Sequence, residues 1–480
     1  MEHIIRLVKV DLERNGFDYY PKSVRKLGDA AELFVVGRAG RKFIGIVQKG
    51  SEIALPSAEV DVQPDGEHIS IHALTWKNYQ ALKKLIPIAP SPCDKKASLG
   101  TGDRLGLVSA AHLEADLDYP VFPVIAQQSP RELVRTKRTF QGVLTDAVMG
   151  VLEFGYTGKF GADADHIKDE EYLQQAAEAG YTMYTLDVSD CLQDPGLLSN
   201  VETAGLAPKL SQTARDIIDK LGGMEVVGTP CRISEEGLLK SAFVYEKSME
   251  KVCRFNTIIK EYRSDFDIQV SIDEGSRDTT PEDHLFVAEY LHRSGIDFKS
   301  LAPKFPGEFQ KGVDFMGDTA RFEESLSIHS LLARKIGGYK LSLHSGSDKF
   351  SIYPAFTEAT RGHFHVKTSG TSWLQSVKLI AAVNVPLFNE LYRISLENLM
   401  ESKTAYHVYI TPDIFPATPP QGEEPAFFDT RDVRQLFHIS YGVLLDNKGP
   451  EILNELHNNE RKHYDLVAGH IRRHLKLLFD

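Results

Sequence analysis

From about residue 100 onward, short strand-like runs alternate with helical stretches, and no other feature of the chain restricts its fold as much. The strand candidates are Asp103–Ser109, Val121–Gln127, Thr157–Asp163, Thr182–Val188, Asp267–Asp273, Phe298–Pro303, Lys340–His344 and Phe364–Ser369. Helical patterns at Arg131–Gly150, Asp169–Ala179, Pro281–Ser294, Thr319–Ile336 and Thr371–Leu387 separate most of them. Eight such units over roughly 280 residues predict an α/β fold, a (β/α)8 TIM-like barrel with parallel strands and a packed interior. A doubly wound open sheet is the alternative. The stretch 190–265 is too long for one crossover and reads as a helical insertion, ending in the barrel helix around Glu246–Tyr262.

The flanks read differently. Ala31–Gly37 and Lys42–Val47 look like strands joined by a Gly-Arg-Ala-Gly-Arg hairpin, His68–Leu74 alternates as a strand, and Trp76–Ile86 has helical spacing. Residues 1–98 are therefore expected as an α+β accessory region, closed by Pro87, Pro90 and Pro92. The barrel is expected over 99–388. A helical extension follows over 389–480, with a Pro-rich loop at Ile414–Glu424 and a basic last helix over His463–Leu478.

At 480 residues the chain accommodates a large catalytic domain with additions. A net charge of −12 argues against nucleic acid as a partner, because phosphate binding needs a basic face, yet it leaves room for a small anionic substrate. Cys93, Cys191, Cys231 and Cys253 have no CxxC spacing and read as reduced thiols. Met1–Arg6 shows no apolar leader, and no run approaches the ~20 apolar residues of a membrane span. A cytoplasmic enzyme without membrane partners, as monomer or homo-oligomer, is expected.

In a barrel the reactive groups sit where strands end. Gly161-Ala162-Asp163-Ala164-Asp165-His166 crowds carboxylates and an imidazole into one such end, with Asp163 in support. His166, His344 and His365 are candidate ligands of a divalent metal, with Asp187 or Glu274 able to replace His365. Asp165 and Glu274 are candidates for an acid–base pair, against a bland reading of both as helix caps. Arg104, Gln128, Lys304 and Lys367 could hold substrate, and Lys304, in an apolar setting, could instead form a Schiff base. Gly100–Gly106 lacks the spacing of a nucleotide loop.

Segments over roughly 100–375 resemble the tagaturonate/fructuronate epimerase family of bacterial hexuronate catabolism. They are Gly102–Gly106, Ala126–Ser129, Gly161–Lys168, Ser271–Gly275, Leu301–Asp314, Leu341–Phe350 (LSLHSGSDKF) and His365–Trp373. The resemblance implies reversible interconversion of D-tagaturonate and D-fructuronate with a divalent cation: zinc, manganese, nickel or cobalt. The carbon inverted lies β to the ketone, so its C–H is not acidified, and retro-aldol cleavage followed by re-addition is the expected route. A metal-dependent aldolase or ketose isomerase would use the same polar set. A non-catalytic sugar-binding protein would need no metal and neither carboxylate.

Overall fold

A computed structural model describes residues 16–480 apart from 29–30, 50–52, 63–66, 194–204, 206–208, 227, 230 and 405. The N-terminal Met1–Arg6 stretch and part of the 190–265 insertion thus lie outside the described residues. Five antiparallel strands come first: β1 (Asp18–Leu27), β2 (Ala31–Arg38), β3 (Arg41–Gln48), β4 (Ala58–Val62) and β5 (His68–His72), in the order β1-β2-β3-β5-β4. The expected hairpin joins β2 to β3, and its tip, Ala39-Gly40, takes positive φ at both residues (50° and 74°), as a two-residue turn matching strand twist requires. Both faces of this sheet are buried. Leu33, Val35, Ile44 and Ile46 join the main core, while Phe34, Val36, Phe43 and Ile71 pack with Phe17 in a second cluster.

The barrel is closed and wholly parallel. Its strands are β6 (Ala97–Gly100), β7 (Val121–Gln128), β8 (Gly161–Ile167), β9 (Met183–Asp187), β10 (Asp267–Ser271), β11 (Ser300–Ala302), β12 (Lys340–Leu343) and β13 (Phe364–Lys367), with β13 pairing back to β6. Six of the expected strands fall within a few residues of place. The other two shift, for identifiable reasons. Asp103–Ser109 is not a strand, because the Asp103 carboxylate accepts from the backbone N–H groups of Leu105, Gly106 and Val108 and folds the segment into a turn. The first strand is the preceding Ala97–Gly100.

The third strand begins four residues late, so Gly161–Ile167 is itself the strand rather than the loop behind it. Strand alternation then sends Asp163 and Asp165 inward and Ala162 and Ala164 outward under the helices. All four are buried. Of the expected helices, Arg131–Gly150 is two, Pro130–Thr136 and Phe140–Phe154, broken where Lys137 takes a left-handed conformation. Thr371–Leu387 is likewise divided at Asn384. In the insertion, helices run over Gln212–Leu221 and Glu235–Tyr262, the second starting eleven residues before the expected Glu246.

Beyond the barrel, Val385–Glu397, Arg431–Asn458 and Glu460–Phe479 are helical. The first two form a separate apolar cluster around Phe388, Tyr392, Leu436 and Phe437, docked to the barrel by Trp373, whose indole N–H donates to the Phe437 carbonyl at 2.9 Å, while Glu460–Phe479 packs into the main core through Val467, Ile471 and Leu475. Among the described residues no helix is long and apolar enough to cross a membrane.

Candidate active site

Two chambers open at the carboxyl ends of the barrel strands. The outer one has a volume of about 470 Å³, in the range of small-molecule sites, and the inner one about 20 Å³, roughly room for a water. His166 and His344 border both.

These two imidazoles meet because of local backbone geometry. Consecutive strand residues point to opposite faces, so Asp165 and His166 should diverge. His166 instead takes φ = 51°, at a register shift in the β8–β9 pairing, and its ring turns back toward Asp165. His166 Nδ1 then lies 3.1 Å from His344 Nε2 and 2.9 Å from Asp165 Oδ1, which is itself 3.4 Å from His344 Nε2. On the other edge of the ring, His166 Nε2 lies 3.6 Å from Glu274 Oε1. One imidazole is thus flanked by two carboxylates, Asp165 bordering the inner chamber and Glu274 the outer.

His344 is oriented from behind. Its Nδ1–H donates to Ser271 Oγ at 2.8 Å, and Ser271 in turn donates to Asp273. That chain fixes the tautomer in which Nε2 presents a lone pair to the cluster. Below, Lys367 Nζ touches Asp163 Oδ2 and Asp165 Oδ1, both at 2.7 Å, and the Thr185 hydroxyl.

The charges follow from this packing. Burial opposes ionisation of Asp165, but His166 and Lys367 outweigh it and hold its carboxyl well below the usual range. Burial likewise penalises a charged His166, yet Asp165 and Glu274 raise it to about 10. The neighbouring charge of His166 lowers Glu274, against its partial burial. Burial depresses Lys367, and the two aspartates more than reverse it.

Two imidazole nitrogens and a carboxylate oxygen around one point form a donor set that suits a divalent transition cation. His166, Asp187 and Glu274 form a second such set sharing the same histidine. His365 is not brought to either. It lies two residues below Lys367 on the same strand face, about 7 Å deeper by strand rise, where its Nδ1 pairs with Ser98 Oγ at 2.9 Å. Of the three expected histidines the structure brings together His166 and His344, with Asp165, while Asp187 and Glu274, the expected substitutes for His365, meet at His166.

Of the expected substrate contacts, Arg104 and Lys367 border the inner chamber. Lys367 has three donors, and three protein acceptors occupy them. Arg104 is buried against Glu132 Oε1 (3.0 Å) and the His438 carbonyl (3.2 Å), with its guanidinium stacked 3.8 Å from the Tyr441 ring centre. Gln128 borders neither chamber. Its neighbour Gln127 faces the interior instead, its amide packed over Gly100, where a Cβ would meet Oε1 at 1.7 Å. Lys304 does border the outer chamber and donates to the Gly275 carbonyl at 2.7 Å.

Sequence reasoning missed Arg131, Lys311, Tyr406, His407 and His438, all of which border a chamber, whereas Asp273, the expected end of the fifth strand, does border the outer one. Lys311 lies inside a segment already singled out, but not at a strand end. Tyr406, His407 and His438 come from the C-terminal extension, and no local pattern points them at the barrel.

A family model described as tagaturonate epimerase matches residues 20–478. The tagaturonate/fructuronate epimerase of Thermotoga maritima is 39% identical over 471 residues, 96% of this chain and 97% of that protein. The crystal structure of the fructuronate-tagaturonate epimerase from Cohnella laeviribosi superposes with a TM-score of 0.90 at 31% identity, covering 98% of this chain and 99% of that one. The same Cohnella enzyme in complex with two glycerols matches with the same TM-score.

Proposed function

This chain belongs to the tagaturonate epimerase family, an isomerase family, and on that premise we propose that it inverts the carbon β to the ketone of tagaturonate and fructuronate by retro-aldol cleavage and re-addition at a metal-assisted site. The reading is of a cytoplasmic enzyme acting on a small sugar acid. The observation that carries it is the meeting of His166 Nδ1, His344 Nε2 and Asp165 Oδ1 at the mouth of a closed barrel.

His166 and His344 would hold the cation, with Asp165 Oδ1 beside both nitrogens. A divalent ion there supplies Lewis acidity toward the ketone and hydroxyl oxygens. The remaining work falls to the chain itself. Glu274, facing the outer chamber, takes the proton of the hydroxyl on the carbon to be inverted. The bond between that carbon and its neighbour on the ketone side then breaks, leaving an enediolate and an aldehyde. The aldehyde turns its other face, the bond re-forms, and the new alkoxide, now on the side where Asp165 borders the inner chamber, is protonated by water, to which Glu274 returns the proton it took. Ser271 and Asp273 keep the His344 ring from turning.

Two measurements test this. Metal analysis of the purified protein, with and without chelator, should show that interconversion of the uronates follows the bound cation. Turnover in deuterated water should leave the inverted carbon free of deuterium, and deuterium there would replace retro-aldol chemistry with direct deprotonation. Release of the three-carbon fragments during turnover would favour the aldolase reading.

A further inference from the structure

We propose that Lys311 recognises the terminal carboxylate of the substrate, and thereby sets a preference for uronates over neutral ketohexoses; this rests on the epimerase reading above. Five lysine and arginine side chains border the two chambers: Arg104, Arg131, Lys304, Lys311 and Lys367. They are not equivalent. The charge of Lys367 is balanced by Asp163 and Asp165, and that of Arg104 by Glu132. Arg131 stacks on the Tyr406 ring at 4.6 Å, and Lys304 borders only the outer chamber.

Lys311 borders both chambers. Its Nζ donates to a neutral acceptor, Ser345 Oγ, at 3.0 Å, and it forms no ion pair among the described residues. Burial, with Arg131 close enough to add repulsion, pushes its pKa below the ordinary lysine value, only partly offset by the carboxylates of Asp165 and Asp273, neither of which pairs with it. A half-buried ammonium beside a second cation is relieved by an anion placed between protein and solvent. The substrate brings one. In a ketohexuronate the inverted carbon lies two bonds from the ketone carbon and two from the carboxylate carbon. With the ketone end at His166 and His344, the chain extends its carboxylate along the chamber that Lys311 lines. The neutral ketohexose offers a hydroxymethyl group there, which leaves the ammonium without a counter-charge. Ser345, next to His344 in sequence, ties this cation to the strand end that carries the imidazole.

The test compares tagaturonate with tagatose, which differ only in that terminal group, on the wild type and on Lys311→Met, Lys311→Arg and Lys304→Met. Where tagatose is not turned over, its inhibition constant against tagaturonate replaces kcat/KM. Lys311→Met is expected to lower kcat/KM for tagaturonate about 100-fold, mainly through KM, while changing the tagatose value by less than about threefold; Lys311→Arg recovers most of the loss. Equal losses on both sugars, no loss, or the loss appearing in Lys304→Met instead would each overturn the assignment. Calorimetric binding of tagaturonate to the same variants separates this from the epimerase reading. A wild type that binds tagaturonate but fails to interconvert the uronates counts against that reading, while the change in affinity on Lys311→Met still decides the role of Lys311.

Discussion

Two clusters in this molecule are built from the same residue types and are equally compact. One is Asp165, His166 and His344 at the barrel mouth; the other is Asp348, His470 and His474, where the loop after β12 meets the last helix. Their hydrogen bonds separate them. In the second cluster His474 Nε2 accepts from the Asp348 backbone N–H at 3.1 Å, and His474 Nδ1–H donates to the His470 carbonyl at 2.9 Å. Arg434 sits on Asp348 Oδ2 at 3.0 Å, and His470 Nε2 lies 2.7 Å from Oδ1. Every nitrogen of His474 is occupied and an arginine already supplies the positive charge, so this set braces a loop. At the mouth, two nitrogens confront each other across 3.1 Å and border a chamber. Composition alone does not distinguish a ligand site from a brace; the partner of each lone pair does.

The largest expected effect breaks the symmetry outright. His166→Ala or His344→Ala should strip the cation and cost on the order of 10³-fold in kcat/KM, about 4 kcal/mol of transition-state stabilisation. His474→Gln should leave metal content unchanged. Elemental analysis beside uronate kinetics checks both, and metal loss in His474→Gln would dissolve the distinction. Next comes Asp348→Asn, which leaves Arg434 without its buried carboxylate and should destabilise the fold by about 3 kcal/mol. Denaturant titration reads that loss, with metal binding retained in the folded protein.

Ser271→Ala frees the His344 ring without removing a ligand, and should weaken metal affinity or activity about 10- to 100-fold. A competition titration with a chelator measures it; an effect as large as that of His344→Ala would mean that Ser271 does more than orient.

The smallest effect is a pH dependence confined to the brace. Burial and the neighbouring His470 lower His474 to about 3, below the value near 6.5 of an unfolded histidine. The unfolded chain therefore binds the extra proton more readily. The contribution of His474 to stability is full above pH 6.5 and is lost progressively as pH falls toward 3. Melting curves between pH 7 and 4 should show the wild type losing a few degrees more than His474→Gln. Parallel curves would mean that the histidine is not held neutral.

The barrel was legible because apolar runs of strand length recur between helices of crossover length. Thr319–Ile336 was placed to the residue. Errors came where side chains override propensity. Asp103 looks like a strand start and is a turn, because its carboxylate caps three backbone N–H groups. Gly161–His166 reads as the end of a strand and is nearly the whole of one, because neighbours on both sides pair with it and small residues suit a buried interior. Strand ends led to His166, Glu274 and His344. The same rule pointed to His365, which lies a layer deeper against Ser98, and to Lys367, which borders the inner chamber with its donors on Asp163, Asp165 and Thr185.

The sequence by itself determined the order of elements, the parallel barrel, and the two strand ends that carry His166 and His344, since these depend on local periodicity. Tertiary structure alone decided which lone pairs remain available, which carboxylates pair with which cations, and that Arg131, Lys311 and Tyr406 share a wall. Those properties depend on distances between residues remote in the chain, and electrostatics and hydrogen bonding act over such distances rather than along the sequence.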